Sequence, residues 1–240
     1  LSSNDIKILA IIPAREGSKR VPHKNFRAFA NTTLLDLAIQ QALDAKLVDR
    51  IVVNSDAPQV QAIAAKYEAK GIDFLERPKE LASDESPAID YMIQTINHYQ
   101  SKGILYDWVV IIQASSPLRE GKDIDATIQL LKDNSTGDSA VSVVKLPHMI
   151  HPHKLKKMNG VTLEPWLVDE GQKTSAHELP DIFVRNCAVY VFKTSHLLQG
   201  ITYGENSLGY IMPEETSVDI NDMIDFEFAE YKYIKKNLNQ

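Results

Sequence analysis

Short apolar runs that do not alternate with polar residues, each followed by a stretch of helical period, restrict this chain more than any other feature. "IKILAII" at 6–12, "RIVVNS" at 50–55, "YDWVVIIQ" at 106–113 and "SAVSVVK" at 139–145 are such runs. A strand that is apolar on both sides must be covered on both sides, as in a buried parallel sheet. The intervening segments supply the covers. In 32–48, Leu35, Ala38, Ile39 and Ala42 fall along one helical face. "PQVQAIAAKYEAKG" follows the second run, with Pro58 suited to a first turn and Gly71 to a C-cap. "IDFLE" at 72–76 reads as an edge strand, and "ESPAIDYMIQTINHYQSKG" as a helix. A further helix is expected from Gly121 to near Gly137, and a last one over 223–236 with "KNLNQ" frayed. The alternation predicts an α/β fold of three layers, a mostly parallel, Rossmann-like sheet with helices on both faces.

The rhythm fails after Lys145. Residues 146–181 hold Pro147, Pro152, Pro165 and Pro180 and the turn-like "MNG", so they read as an insertion, a flap or an oligomerisation arm. The pattern resumes with "NCAVYVFK" at 186–193 and "LGYIMP" at 208–213. Without an internal repeat or a low-complexity linker, residues 1–240 are expected to form one domain. The length and the 44% hydrophobic content suffice for one sizeable core. A net charge of -6 argues against general nucleic-acid binding. Cys187 is the only cysteine, which rules out an intramolecular disulfide and suits a reducing compartment. No apolar run approaches the 18 residues that a membrane helix needs, and the first one is followed by charge rather than by a cleavage pattern. A cytoplasmic protein is expected, with a numbering that need not begin at the natural N-terminus.

Within this acidic chain, Arg15, Lys19, Arg20, Lys24 and Arg27 gather directly after the first strand. Like charges this close repel, so they point to an anionic ligand, although a solvated loop could also carry them. Ligands of α/β sheets collect beyond the C-terminal strand ends, where this loop lies. Gly17 and Ser18 provide a tight backbone and a hydroxyl. The segment is neither G-x-x-x-x-G-K-[ST] nor G-x-G-x-x-G, which weakens an ATPase or a dinucleotide-linked dehydrogenase.

Near the other end, "ETSVDIND" brings Asp219, Asn221 and Asp222 together. In an extended stretch Asp219 and Asn221 share a side and could hold Mg²⁺ through oxygen; helix capping is the competing role, and it fits Asp222 better than Asp219. Gln113, Ser115, Ser116 and Arg119 end a strand at the ligand edge, and Arg77, Ser83 and Asp84 occupy another polar loop. The histidines of "HMIHPHKLKK" invite zinc, but no cysteine completes a site. Cys187, inside an apolar strand with no His–Asp pattern, reads as a core residue.

These motifs, in this order, resemble the acylneuraminate cytidylyltransferases, also called CMP-sialic acid synthetases. "IIPAREGSKRVPHKN" is similar to their IIPAR-x-x-SK-x-x-P-x-KN, "RPKELASD" to RP-x-x-LA-x-D, "IIQASSPLR" to LLQPTSPLR and "MPEETSVDIND" to MP-x-x-x-S-x-DID. The likeness runs over residues 6–232. It implies a nucleotidyltransferase-type fold whose inserted arm swaps across a homodimer, and an enzyme that joins CTP to the anomeric hydroxyl of a nine-carbon 2-keto sugar acid, releasing pyrophosphate. N-acetylneuraminate is the first choice of acceptor, with legionaminate, pseudaminate and related diacetamido sugars as alternatives; a sugar-1-phosphate nucleotidyltransferase is a different enzymatic class, and a CTP-binding regulatory or scaffold protein without turnover is the non-enzymatic one.

By the same resemblance, Arg15, Lys19 and Lys24 meet the triphosphate, and Ser18, Asn25, Arg77, Gln113 and Ser115 surround the nucleotide. Gln113, Arg185 and Asn186 face the sugar, and Asp219 with Asn221 holds Mg²⁺. Two positions depart from the family. Asn221 replaces an aspartate, keeping an oxygen but losing a charge. "VRNCAVY" stands for YR-x-NGAIY, placing Arg185 next to Asn186, on opposite sides if the segment is extended, and Cys187 where glycine is usual.

Overall fold

The computed structural model describes residues 6–167 and 179–238. In chain order its elements are β1 (Ile8–Pro13), β2 (Ala28–Phe29), β3 (Thr32–Thr33), α1 (Leu34–Asp44), β4 (Arg50–Ser55), α2 (Pro58–Ala65), β5 (Ile72–Glu76), α3 (Ala88–Gln100), β6 (Trp108–Ile112), α4 (Gly121–Asp133), β7 (Ser139–Lys145), β8 (Lys156–Asn159), β9 (Thr162–Pro165), β10 (Phe183–Lys193), α5 (Thr194–Leu197), β11 (Ser207–Ile211) and α6 (Met223–Leu238). Seven strands make one sheet in the order β11-β7-β10-β6-β1-β4-β5. All neighbours pair in parallel except β10, which runs antiparallel to both β6 and β7.

The unalternating runs are buried on both sides, as the sequence predicts. Along β1, Ile8, Ala10 and Ile12 enter one core with residues of α1, α2, α4 and α6, while Leu9 and Ile11 enter the other with α3 and α5. A fully buried Leu or Ile contributes about 1.5–3 kcal/mol, so β1 alone anchors both layers. Residues 72–76 form the edge strand.

Local chemistry sets the helix ends. Thr33 caps α1 by accepting from the Asp36 amide at 3.0 Å. At the start of α4 the Asp123 carboxylate accepts the Glu120 amide at 2.9 Å, half of a reciprocal capping box. Gly121 lies against the end of α1, where an added Cβ would come within 2.8 Å of the Asp44 backbone. Gly71, at φ 83, caps a 3₁₀ turn over Glu68–Lys70 rather than α2, which stops at Ala65 with Lys66 as its C-cap, earlier than the apolar pattern suggests. Similarly, α4 ends at Asp133 instead of reaching Gly137. By contrast, α6 continues to Leu238, two residues beyond the expected end, with Lys236 paired to Glu120; of "KNLNQ", residues 239–240 lie outside the described part.

Strands β1, β4 and β6 are parallel, so the loops after Pro13, Ser55 and Ile112 emerge at one sheet edge. Chain order leaves β1 toward β4 and β5 on one side and toward β6 on the other. This is the topological switch where α/β sheets open a crevice. Residues 146–167 stand apart from the main sheet as two 3₁₀ turns and the antiparallel β8–β9 hairpin. The chain returns where it left, the Leu146 amide donating to the Ile182 carbonyl at 2.8 Å. Met149, Met158, Val161, Leu163 and Trp166 on this excursion are all exposed; residues 168–178 of the expected arm lie outside the described part. Among the described residues no helix is long and apolar enough to cross a membrane.

Candidate nucleotide site

At the switch point lies a cleft of about 500 Å³ whose lining includes Arg15, Ser18, Lys19, Lys24, Asn25, Arg77, Gln113, Ser115 and Asn221. The sequence motifs therefore converge in space although they span two hundred positions. The basic loop is held open by its backbone: the Glu16 amide donates to Asp56 at 2.9 Å and the Ser18 amide to the Glu16 carbonyl at 2.7 Å. The Asn25 amide group donates to the Arg15 carbonyl at 3.1 Å. Asn25 thus braces the loop as well as lining the cleft.

Lys24 is the pivot of the charge pattern. Its Nζ donates to the Ile220 carbonyl at 2.8 Å, between Asp219 and Asn221. Burial lowers its pKa, and the neighbouring Asp219 carboxylate opposes that shift. Asp219 in turn accepts from Ser115 Oγ at 2.7 Å and from Asn221 Nδ2 at 3.0 Å. It is not the cap of α6: Asp222 fills that role, accepting the Asp225 amide at 3.0 Å. The Asp225 carboxylate takes the Asn221 and Asp222 amides. Asp219 is left facing the basic loop and the end of β6.

Asp84 was not separable from a solvated loop by sequence. Here its two oxygens take Arg15 at 2.7 Å and Lys19 at 2.5 Å. These contacts hold its carboxyl below the usual range, Lys19 contributing most. An anionic group thus already sits on two of the loop's cations. Arg77, by contrast, is built into the wall. It is buried, its Nε donates to Asn54 Oδ1 at 2.6 Å, and its guanidinium lies 4.3 Å from the Tyr91 ring centroid.

Arg119 does not reach the ligand edge as expected. It is buried, donating to the Gln113 and Ala188 carbonyls at 2.9 and 2.8 Å and to Gln41 at 2.6 Å. It joins the end of β6 to the irregular part of β10.

That irregularity changes the expected facing of residues 185–187. The β10–β7 register slips between Arg185 and Tyr190, and Cys187 adopts φ 61. Glycine, the residue of the resembled motif, adopts such a left-handed backbone without the strain that a cysteine side chain brings. Asn186 is buried with its amide engaged at both ends, accepting from Ser142 at 2.6 Å and donating to Ser217 at 2.9 Å. It supports the bulge and does not line the cleft. Arg185 is exposed, its guanidinium 4.8 Å from the Tyr203 ring centroid. Cys187 is half-buried rather than core, and burial raises its thiol pKa, with Tyr190 and Asp219 in contact. His148, His151 and His153 lie on the excursion, and among the described residues no group of three or more His, Cys, Asp or Glu could hold a metal.

Residues 9–197 match the family described as Cytidylyltransferase. The chain belongs to that family. It is 32% identical to the N-acylneuraminate cytidylyltransferase of Escherichia coli O18:K1:H7 over 96% of its own length, and spans 53% of that longer relative. It is 30% identical to the CMP-N,N'-diacetyllegionaminic acid synthase of Legionella pneumophila, over 94% of this chain and 95% of that one. The fold is that of a solved CMP:2-keto-3-deoxy-manno-octonic acid synthetase complexed with CTP, with a TM-score of 0.68 at 14% identity, covering 96% of this chain and 99% of that one. The mostly parallel sheet expected from the strand pattern, and the nucleotidyltransferase type implied by the resemblance, are therefore the fold observed.

Sequence reasoning passed over Tyr91 and Tyr203. Tyr91 fits the helical period of α3 as a core position, and Tyr203 lies in a loop without a motif, so neither carried a signal.

Proposed function

We propose that the cleft binds CTP and that the chain transfers CMP from it to the anomeric 2-hydroxyl of a nonulosonic acid, releasing pyrophosphate. The observation that carries this reading is the position of Lys24, half-buried between the other cations of a basic loop and Asp219 at the topological switch of the sheet. Arg15, Lys19 and Lys24 would take the triphosphate, since charge-assisted contacts to phosphate are strong and geometrically selective. Ser18, Asn25, Arg77, Gln113 and Ser115 would surround the nucleotide. The acceptor hydroxyl oxygen forms a bond to the α-phosphorus, its proton passing to water, as the bond to the bridging oxygen of the β-phosphate breaks and pyrophosphate leaves. The same cations stabilise the charge that develops on the leaving pyrophosphate.

The Asp219 carboxylate suits a magnesium ion, which typically takes one or two carboxylates together with substrate phosphates; Asn221 turns its Nδ2 toward that carboxylate, so its amide would have to flip for its oxygen to join. Bound there, the ion would offset negative charge on the phosphate oxygens. Ser115 and Asn221 fix the Asp219 carboxylate by hydrogen bonds to its two oxygens.

For the acceptor, Gln113 and Arg185 would meet the sugar acid, Arg185 supplying charge for its carboxylate, while Asn186 shapes the bulge behind them. N-acetylneuraminate is the first acceptor to try. The similar proteins named above include both an N-acylneuraminate and a diacetyllegionaminic acid enzyme, so legionaminate and pseudaminate belong in the same panel. We also place the dimer contact on residues 146–181, whose exposed Met149, Met158, Leu163 and Trp166 suit an interface. A monomer by light scattering at micromolar concentration would exclude that contact.

The test of the function is CTP-dependent pyrophosphate release over a panel of nonulosonic acids and sugar 1-phosphates. Release with a nonulosonic acid, and formation of its CMP conjugate, is the expected result. CTP binding without release on any acceptor would favour a regulatory protein instead.

A further inference from the structure

The proposed transfer uses cations, amides and one carboxylate, and it leaves one buried polar group of the cleft wall unused. Tyr91, on α3, lines the cleft and is 6% exposed, yet its hydroxyl has no hydrogen-bond partner. Buried hydroxyls are nearly always paired, because an unpaired one forfeits its hydration with nothing in return. The ring has two evident roles. It lies under the Arg77 guanidinium, and it packs in the core with Leu9, Ile11, Val109 and Ile111. Phenylalanine would serve both roles without the cost of the oxygen.

The surroundings of the hydroxyl indicate which ligand it serves. Its electrostatic neighbours are Arg77 and Tyr203. Tyr203 carries the Arg185 guanidinium over its ring and stacks edge-on against Phe192, with ring centroids 5.7 Å apart. Tyr91 therefore links Arg77, which lines the cleft with it, to Tyr203, which carries Arg185 outside that lining. Burial keeps the phenol protonated, so it is available as a donor. Its oxygen is sealed from solvent, so contact requires a neighbour to turn aside. Tyr203, an electrostatic neighbour of the hydroxyl and 41% exposed on the loop before β11, is the side chain whose turning the proposal requires.

We propose that Tyr91 is a specificity-determining residue, its hydroxyl donating a hydrogen bond to an uncharged oxygen of the sugar acid seated beside the nucleotide. This inference rests on the acceptor reading above. The oxygen is a hydroxyl or acyl oxygen rather than the carboxylate, for which Arg185 is the charged partner. Discrimination follows because a group built to donate is left unpaired when the wrong acceptor binds.

The test is Tyr91→Phe, studied by steady-state pyrophosphate release and by thermal melting without substrates. The KM for the preferred acceptor should rise by roughly tenfold, the scale of one neutral hydrogen bond. The rise should differ between acceptors with different hydroxyl and acyl patterns. KM for CTP, and kcat at saturating acceptor, should stay within about twofold, the ring being kept for Arg77. The melting temperature should be unchanged or higher, since the variant removes an unpaired group. A rise in KM for CTP instead, or an unchanged acceptor KM, overturns the proposal. So does a lowered melting temperature, because the hydroxyl then has a structural partner. The melting arm needs no turnover. An inactive wild type on every acceptor would defeat the functional reading, whereas an active wild type with an indifferent Tyr91→Phe would defeat this inference alone.

Discussion

On the β1 side of the cleft a buried parallel strand pairs in unbroken register, and the charges follow one another in the loop after it, which turns through a left-handed residue at His23; on the β10 side the strand runs the other way and itself slips register, with a left-handed residue at Cys187 inside it. The first wall is braced from within its own loop by Asn25 and from β4 by Asp56. Behind the second side stand the buried Asn186 on β10 and the buried Arg119 that ties β10 to β6, with Arg185 stacked on Tyr203 outside the residues that line the cleft. A triphosphate presents much the same charge in every enzyme of this chemistry, and a contiguous basic loop can serve it. An acceptor that varies between relatives needs side chains from separate elements, whose positions can drift independently. On the proposed function, the contrast separates two roles, a general hold on the triphosphate at the β1 side and a selective contact with the acceptor at the β10 side.

The largest expected effect lies where the walls meet. Asp219→Asn should lower turnover by roughly 10²-fold or more at limiting Mg²⁺, as it removes the protein charge nearest the phosphates. The fold should survive, because Asp222 and Asp225 cap α6 without it. Asn221→Asp should be tolerated and tighten Mg²⁺ binding. Steady-state rates over a magnesium titration check both, and wild-type kcat in Asp219→Asn at limiting metal would remove the residue from the reaction.

A smaller effect is confined to the first wall. Asp84→Asn frees Arg15 and Lys19 from a competing carboxylate, so CTP should bind a few-fold more tightly, the modest scale of an exposed ion pair. Titration calorimetry reads this directly. Weaker CTP binding in the variant would make Asp84 part of the nucleotide site instead of its competitor.

The smallest lies in the second wall. Cys187→Gly relieves a left-handed backbone position worth about 1–2 kcal/mol to an L-residue, offset by the greater freedom of glycine in the unfolded chain, about 0.4–1 kcal/mol. The melting temperature should therefore hold or rise slightly. A clear fall would show that the packing of the thiol outweighs its strain.

The same contrast governs what the sequence disclosed. Residues 8–25 show strand, loop and charge in one reading, because local patterning and burial coincide there. The parallel sheet, α1, β5 and the cap role of Asp222 were equally legible. The reversal of β10 was not, since an apolar strand reads the same in either direction. Nor was the Asp84 contact, made between side chains 65 and 69 residues apart from their cationic partners, nor the inward turn of Arg119, which looks like a surface charge until its acceptors are located. Asn186 and Cys187 depend on one φ angle that no composition signals. Tyr91 was hidden by its own fit to the helical period.

The separability of the two walls is tested most directly by calorimetric titration of CTP with Mg²⁺ into the wild type, Lys24→Ala and Arg185→Ala, without acceptor. Lys24→Ala should lose roughly tenfold or more in CTP affinity, the scale of a charge-assisted phosphate contact, and Arg185→Ala should bind CTP as the wild type does. Equal affinity in all three proteins, or a loss in Arg185→Ala matching that in Lys24→Ala, would contradict the account.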